Sequence, residues 1–133
     1  MKLPPNVGVG VIILKDGRVL MGRRLSNHQP GTWCPPGGKL DWGESFIACA
    51  RRETKEEAGI SIKNCQVVAT LNNIFDNGLH GVTIIVQADW QAGKPKIMEP
   101  DKIADWDWYE WDKLPRPLFP TITGLIKTGY KPA

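Results

Sequence analysis

The sequence predicts an α+β fold, an α/β/α sandwich in which helices flank a mixed central sheet. Two observations predict it. Strand-like runs outnumber helical ones, in the order β β α β β β α, which fits a sheet covered by a few helices rather than a bundle. The chain has 133 residues, 41% apolar and 23% charged, enough to bury one core without disulfide staples. Residues 1–133 are therefore expected to form a single domain.

The elements follow from local chemistry. Val7 to Leu14 (VGVGVIIL) is a β-rich apolar run, and Asp16-Gly17 after it is a tight hairpin turn. Arg18 to Arg24 (RVLMGRR) is its partner strand. Ser26 to Gly38 is rich in Pro, Gly, Asn and Ser and is expected to be a loop. Glu44 to Ala58 is a helix, with Ser45 near its start and Gly59 just past its end. Ile62 to Asn72 and Val82 to Trp90 are strands separated by a turn at Asp76-Asn77-Gly78. Lys94 to Lys102 is a loop. Asp105 to Trp111 (DWDWYEW) is a short aromatic strand that places Trp106 and Trp108 on one face, an arrangement that favours core packing over a stacking platform. Pro120 to Thr128 is a second helix, opened by proline and closed by Gly129.

The segment RRETKEEAGI (Arg51 to Ile60) carries the chemical question. At about 100° per residue, with Glu53 at zero, Glu57 falls near 40° and Glu56 near 300°, so the three share a face. Phe46, Ala50, Thr54 and Ala58 lie four apart, and their stripe borders that face. Arg51 and Lys55 point toward water. Arg52 and Glu56 are a favourable i,i+4 pair, as a solvated helix would show. Glu53 and Glu57 are a like-charged i,i+4 pair, and a neighbouring core makes their repulsion worse. A hard divalent cation would remove that conflict, and carboxylates without His or Cys suit Mg²⁺ or Mn²⁺. From the helix alone, the solvated surface and the metal site both stand. The preceding PPGGKLDWGE (Pro35 to Glu44) adds a Gly37-Gly38 turn, where the backbone can approach a ligand closely.

From Gly38 the chain spells G-KLDWG-E-SFIACAR-RE-T-K-EE-A-G-I. This resembles the Nudix box, G-x5-E-x7-R-E-U-x-E-E-x-G-U with U a bulky apolar residue. Gly38, Glu44, Arg52, Glu53, Glu56, Glu57 and Gly59 match, and Ile60 fills the last apolar slot. Thr54 departs from the usual aliphatic residue. VGVGVIIL, LMGRR, TWCPPGGKLDWGES and MEPDKIADWDWYEWDKLPRPLF extend the similarity to the MutT-like branch, which includes cytosolic plant enzymes and vertebrate nucleotide triphosphate diphosphatases.

The resemblance implies Mg²⁺, with Mn²⁺ able to replace it, held by Glu53, Glu56 and Glu57 and by the Gly38 carbonyl. It implies a further carboxylate from a late loop, Glu99 or else Asp101. Arg52 would hold a carboxylate in place, and Glu44, Gly37 and Gly59 would support the loop and helix. Either Glu53 or a loop carboxylate would take a proton from water. Arg23, Arg24, Asn27 and His28 correspond to a region that lines the base or phosphate pocket. Thr83, Phe119, Pro120, Thr121 and Ile122 correspond to base-facing positions. Pro35 stands where an aliphatic residue is usual, which leaves base preference open. Lys39 is either a phosphate contact or a solvated lysine, Trp33 either a base stack or a core plug, and His28 either a ligand contact or a surface residue.

The implied reaction is hydrolysis of nucleoside triphosphates, such as 8-oxo-dGTP or dCTP, to the monophosphate and pyrophosphate. The alternatives are prenyl or other non-nucleotide diphosphates, and a non-catalytic nucleotide sensor, which would usually lose box carboxylates. A net charge of +3 without a basic stripe argues against a nucleic acid polymer. No apolar run is long enough to span a bilayer, and the N-terminus lacks a signal-peptide pattern. Three cysteines without a CxxC pair argue against a disulfide framework, and a reducing, cytoplasmic setting is expected. A homodimer is the assembly that the resemblance allows.

Overall fold

The structure is a computed structural model and describes residues 3–133. Its strands are β1 (Asn6–Lys15), β2 (Arg18–Arg24), β3 (Trp33–Cys34), β4 (Gly37–Lys39), β5 (Ser61–Ile74), β6 (His80–Ala92) and β7 (Ile103–Glu110). The helices are α1 (Phe46–Ala58) and α2 (Pro120–Lys127), with one 3₁₀ turn at Trp111–Lys113. The sheet is mixed. β1 runs parallel to β6 from Asn6↔Gly81 to Leu14↔Asp89 and antiparallel to β2, β5 is antiparallel to β6, and β7 is antiparallel to β2.

The β1–β2 hairpin turns at Asp16 and Gly17, both at positive φ, as a two-residue primed turn requires. The strands then part, with pairing confined to Leu14↔Val19 and Lys15↔Arg18. Residues 33–39 fill the opening. β3 pairs with β2, β4 pairs with β1, and the Val11 N–H donates to the Pro36 carbonyl at 2.8 Å. The expected loop Ser26–Gly38 therefore contains one strand and the start of another. Pieces of two and three residues carry no periodicity, and long-range pairing alone defines them.

β1 alternates between two cores. Val9, Val11 and Ile13 pack with Cys49, Ala50 and Ala58 on the α1 side. Ile12 packs with Ile85, Ile122 and Leu125 on the α2 side. Fully burying such aliphatic side chains stabilises by about 1.5–3 kcal/mol each, which fixes the strand register. Helix α1 begins at Ser45, whose Oγ accepts from the Ala48 N–H at 3.1 Å, and ends at Gly59 in the left-handed region.

The buried stripe of α1 differs from the expected one. Phe46, the first helical residue, is 38% exposed, while Cys49 is fully buried. Cys49 lies near 320° on the same wheel, so the buried arc runs past Glu53 and Glu57 on both sides. Those two glutamates sit within the core-facing arc rather than beside it, and Glu56 lies at its rim. Lys55 is exposed, and so is Arg51, although its Nη1 reaches the Ile62 carbonyl at 3.0 Å. Thr54 is buried and its Oγ1 has no partner among the described residues, a consequence of a hydroxyl in an apolar slot. Trp106 and Trp108 pack against the α1-side core.

Candidate active site

Arg52 organises the acidic face. Its Nε and Nη2 hold the two oxygens of Glu44 at 2.8 and 3.0 Å, a bidentate pair. Its Nη1 donates to Glu53 at 2.7 Å and to Glu56 at 3.2 Å, and Nη2 also reaches the Lys39 carbonyl at 3.0 Å. The Arg52 hydrogen bonds hold the Glu44 carboxyl at about 2, well below the usual carboxylate range. Glu44 thus stays ionised and ties the helix to the loop before it. Asp41 adds a salt bridge to Arg52 at 3.3 Å.

Glu53 and Glu57 are in the opposite condition. Burial raises the Glu53 carboxyl above its ordinary value, against the pull of Arg52. Burial pushes Glu57 up to about 8, even though its Oε1 accepts the Gly37 N–H at 2.8 Å. The Glu57 carbonyl accepts from Trp106 Nε1 at 3.2 Å, so the aromatic strand steadies the last turn of α1. A Cβ on Gly38 would lie 2.3–2.5 Å from the Glu53 carboxyl group. Only glycine lets β4 lie this close to the helix face.

Glu99 enters from the 93–102 loop. Its carbonyl accepts from the N–H groups of Lys102 and Ile103, and its carboxylate meets Lys102 Nζ at 3.3 Å. Its charge raises the carboxyls of both Glu53 and Glu57, so the loop stands opposite the box face.

The acids are held apart on protein donors, with Glu53 and Glu56 on Arg52, Glu57 on Gly37 and Glu99 on Lys102. Among the described residues no three His, Cys, Asp or Glu side chains are gathered into a ready cage. The donor set nonetheless fits a hard cation. It offers oxygen ligands only, and a divalent ion would offset the burial and the like charges that raise Glu53 and Glu57.

A cavity of about 390 Å³ opens beside this face, within the range of small-ligand sites. It reaches the acidic face at Gly37, Gly38 and Glu57, with Lys39 at that end. Arg24, His28 and Phe119 line it as well, together with Thr121 and Ile122 at the start of α2, and the Arg24 charge acts on Glu57. Pro35 and Thr83 are also in its wall, and so are Cys34 and Pro36. The Arg24 guanidinium lies over the Phe119 ring at 4.6 Å, and Nε donates to the His28 carbonyl at 3.0 Å. His28 stands edge-on to Phe75 and Phe119, with centroids at 4.6 and 5.7 Å. Its partial burial and the Arg24 charge lower its pKa, so the ring is favoured in its neutral form.

Several expected contacts lie elsewhere. Arg23 points to Asp105, with Nε and Nη2 both 2.9 Å from Oδ2, and does not line the cavity. Neither Asn27 nor Trp33 lines it. The Trp33 ring meets Tyr109 edge-on at 6.0 Å and packs against the α2-side core, the position of a core plug. Its backbone still serves the site, because the Trp33 carbonyl accepts from Phe119 N–H and its N–H donates to Pro117, each at 2.9 Å. Glu53, Glu56 and Glu99 lie outside the cavity wall, and Glu57 is the box carboxylate within it. Sequence reasoning missed Phe75 and Leu79, which reach the cavity from the β5–β6 hairpin. It also missed Gly8, Gly10 and Gly81 in the cavity wall.

A NUDIX domain model matches residues 4–127. An oxidized purine nucleoside triphosphate hydrolase from Danio rerio is 30% identical over 106 residues, covering 79% of this chain and 66% of that protein. An RNA pyrophosphohydrolase from Pelagibacter ubique is 39% identical over 76 residues, covering 56% of this chain and 46% of its own length. The chain thus spans about half to two thirds of these two curated relatives. The crystal structure of a MutT NUDIX hydrolase from Burkholderia pseudomallei superposes with a TM-score of 0.86 at 35% identity, over 93% of this chain and 98% of that one. A match across nearly the whole chain, in sequence and in fold, places this protein in the Nudix hydrolase family, in its MutT-like branch.

Proposed function

We propose that the protein hydrolyses a phosphoanhydride bond in nucleoside triphosphates, with Mg²⁺ or Mn²⁺, giving the monophosphate and pyrophosphate. One observation carries the proposal: a cavity of about 390 Å³ with aromatic and apolar walls reaches the Gly37-Gly38 backbone and the Glu57 carboxylate that accepts from it, on the helix face shared with Glu53 and Glu56. A diphosphate placed at Gly38 would thus leave its carried group facing Phe119 and Thr83.

Glu53, Glu56, Glu57 and the Gly38 carbonyl are the groups that would hold the cation. When bound, the ion neutralises phosphate charge and lowers the pKa of water. The remaining roles belong to the chain. Arg52 and Glu44 lock the box loop against α1, and Lys39, an exposed residue of the cavity lining, would contact a phosphate. Glu53, its carboxyl raised above its ordinary value by burial, can accept a proton from water, and Glu99 is the second candidate. Catalysis of this kind rests on positioning and charge stabilisation.

The test is release of phosphate and pyrophosphate over canonical and oxidised nucleotides, nucleotide sugars, dinucleotides and prenyl diphosphates, with Mg²⁺ and with EDTA. Nucleoside triphosphates should give pyrophosphate only when metal is present. Turnover confined to prenyl diphosphates would replace the substrate class, and turnover of none would make the protein a ligand sensor. The Glu56→Gln variant should keep its fold and lose most metal-dependent turnover, and near-full activity would overturn the metal assignment.

A further inference from the structure

Strand β7 is irregular at one point, beside the helix that carries the acids. From Met21↔Asp107 to Arg23↔Ala104, β2 advances two residues while β7 advances three. The extra residue lies opposite Gly22, and Asp105 absorbs it in the left-handed region, at φ 60°. Residues with a Cβ are uncommon there, although aspartate tolerates it better than most. Arg23 holds the Asp105 carboxylate, with Nε and Nη2 both 2.9 Å from Oδ2. The pair is solvent-exposed, where an ion pair adds little to stability.

The bulge changes what β7 presents. Ile103 and Trp106 are three apart, so a regular strand would send them to opposite faces. Instead both meet over Gly22, where a Cβ would lie 2.7 Å from the Trp106 ring and 3.0 Å from Ile103 Cδ1. From that bare backbone the indole reaches the last turn of α1, and Nε1 donates to the Glu57 carbonyl at 3.2 Å. This carbonyl is one of the last four of the helix, which no later turn can satisfy. Its neighbours at Lys55 and Ala58 accept from the backbone N–H groups of Gly59 and Lys96. Glu57 is met by a side chain from a distant strand.

The grip falls on an acid whose reach matters. Glu57 is the box carboxylate in the cavity wall, and its Oε1 accepts from the Gly37 N–H at 2.8 Å. Holding its backbone sets how far that carboxyl extends toward β4. Filling the core needs only the aromatic ring, so the indole N–H is the part left to explain.

We propose that Trp106 is a positioning residue for Glu57, aimed by the bulge that the Arg23–Asp105 pair holds. The inference rests on the metal reading above for the use made of Glu57, and it deepens that reading.

Hydrogen exchange of the Gly37 amide, followed by NMR in EDTA, reports the Glu57 carboxyl without metal or turnover. The Val11 amide, bonded to the Pro36 carbonyl, is the control. Trp106→Phe keeps a ring and loses the donor. It should speed Gly37 exchange by about three- to tenfold, the scale of one hydrogen bond, and leave Val11 unchanged. Asp105→Gly should leave Gly37 protected, since glycine adopts the left-handed region unaided. Arg23→Met should speed Gly37 exchange in the wild type and do nothing in the Asp105→Gly background. Mn²⁺ binding, followed by electron paramagnetic resonance, should weaken in Trp106→Phe by a factor similar to the Gly37 change. Equal acceleration at Gly37 and Val11 would make Trp106 a packing residue and overturn the inference, as would no acceleration at either. An Arg23→Met effect that persists with Asp105→Gly would overturn the role of the bulge. If Mn²⁺ does not bind, or binds all variants alike, the metal reading of Glu57 falls, while the Gly37 result still decides what positions it.

Discussion

Replacing Glu57 by Gln removes the acid that burial perturbs most among the box glutamates, and the effect has a calculable pH signature. The folded-state value of about 8 lies above the ordinary 4.5, so the native protein retains a proton that the unfolded chain releases. This contribution is fully present below about pH 4.5 and is lost as pH rises through about 8. A shift of that size corresponds to at most about 5 kcal/mol, of which roughly 2–3 kcal/mol is lost between about pH 5 and pH 7. Glu44 has the opposite dependence, losing its contribution as pH falls toward about 2, so the two windows do not overlap. In the Gln variant the amide oxygen can still accept the Gly37 N–H, and the titration disappears. The assay is urea unfolding of both proteins in EDTA at intervals from about pH 5 to pH 8. The variant should gain on the wild type by about 2–3 kcal/mol across the first two pH units. A difference that stays flat over the whole range would refute the argument that burial holds Glu57 protonated.

Three further outcomes follow from the same geometry. Gly38→Ala places a methyl within 2.5 Å of the Glu53 carboxyl group and should cut metal affinity and turnover by about 10–100-fold, measured by metal titration and steady-state rates. Arg52→Lys keeps the charge but loses the fork that grips both oxygens of Glu44, and should cost about 1–3 kcal/mol in urea unfolding. Gly22→Ala drives a Cβ to 2.7 Å from the Trp106 ring, and should cost about 1–3 kcal/mol and lower the melting temperature, with Trp106 fluorescence reporting the shift.

Much of this site is legible because its chemistry is local. Glu53, Glu56 and Glu57 need only helical geometry to share a face, and Ser45 and Gly59 bracket that helix by their own capping chemistry. Gly38 is legible by its spacing, although the reason for glycine, the Glu53 carboxyl against its Cα, appears only in three dimensions. What the sequence conceals is settled by distant partners. Trp33 seemed equally suited to a base and to a core until Tyr109, 76 positions away, took its ring. Phe75 gave no signal beyond its place before the Asp-Asn-Gly turn, yet that turn delivers its ring to His28. The helix wheel placed Phe46 inward because it has no knowledge of where the sheet beneath ends. Gly8 and Gly10 look like interruptions in an apolar strand, and only the neighbouring strand shows that they shape a cavity.

The two-sidedness of β1 has a consequence for substitution. Val9, Val11 and Ile13 support the helix that carries the acids, while Gly8 and Gly10 face the cavity where the carried group would lie. Alternate residues of one strand thus serve separate parts of the molecule. A side chain at position 10 would stand at the cavity wall against Ile85 and Thr83, and would leave the acid-bearing helix untouched. At position 8 that freedom ends, because any side chain there leans on the Gly38 carbonyl. The shape of the cavity should therefore tolerate substitution at the tenth residue far more readily than at the eighth.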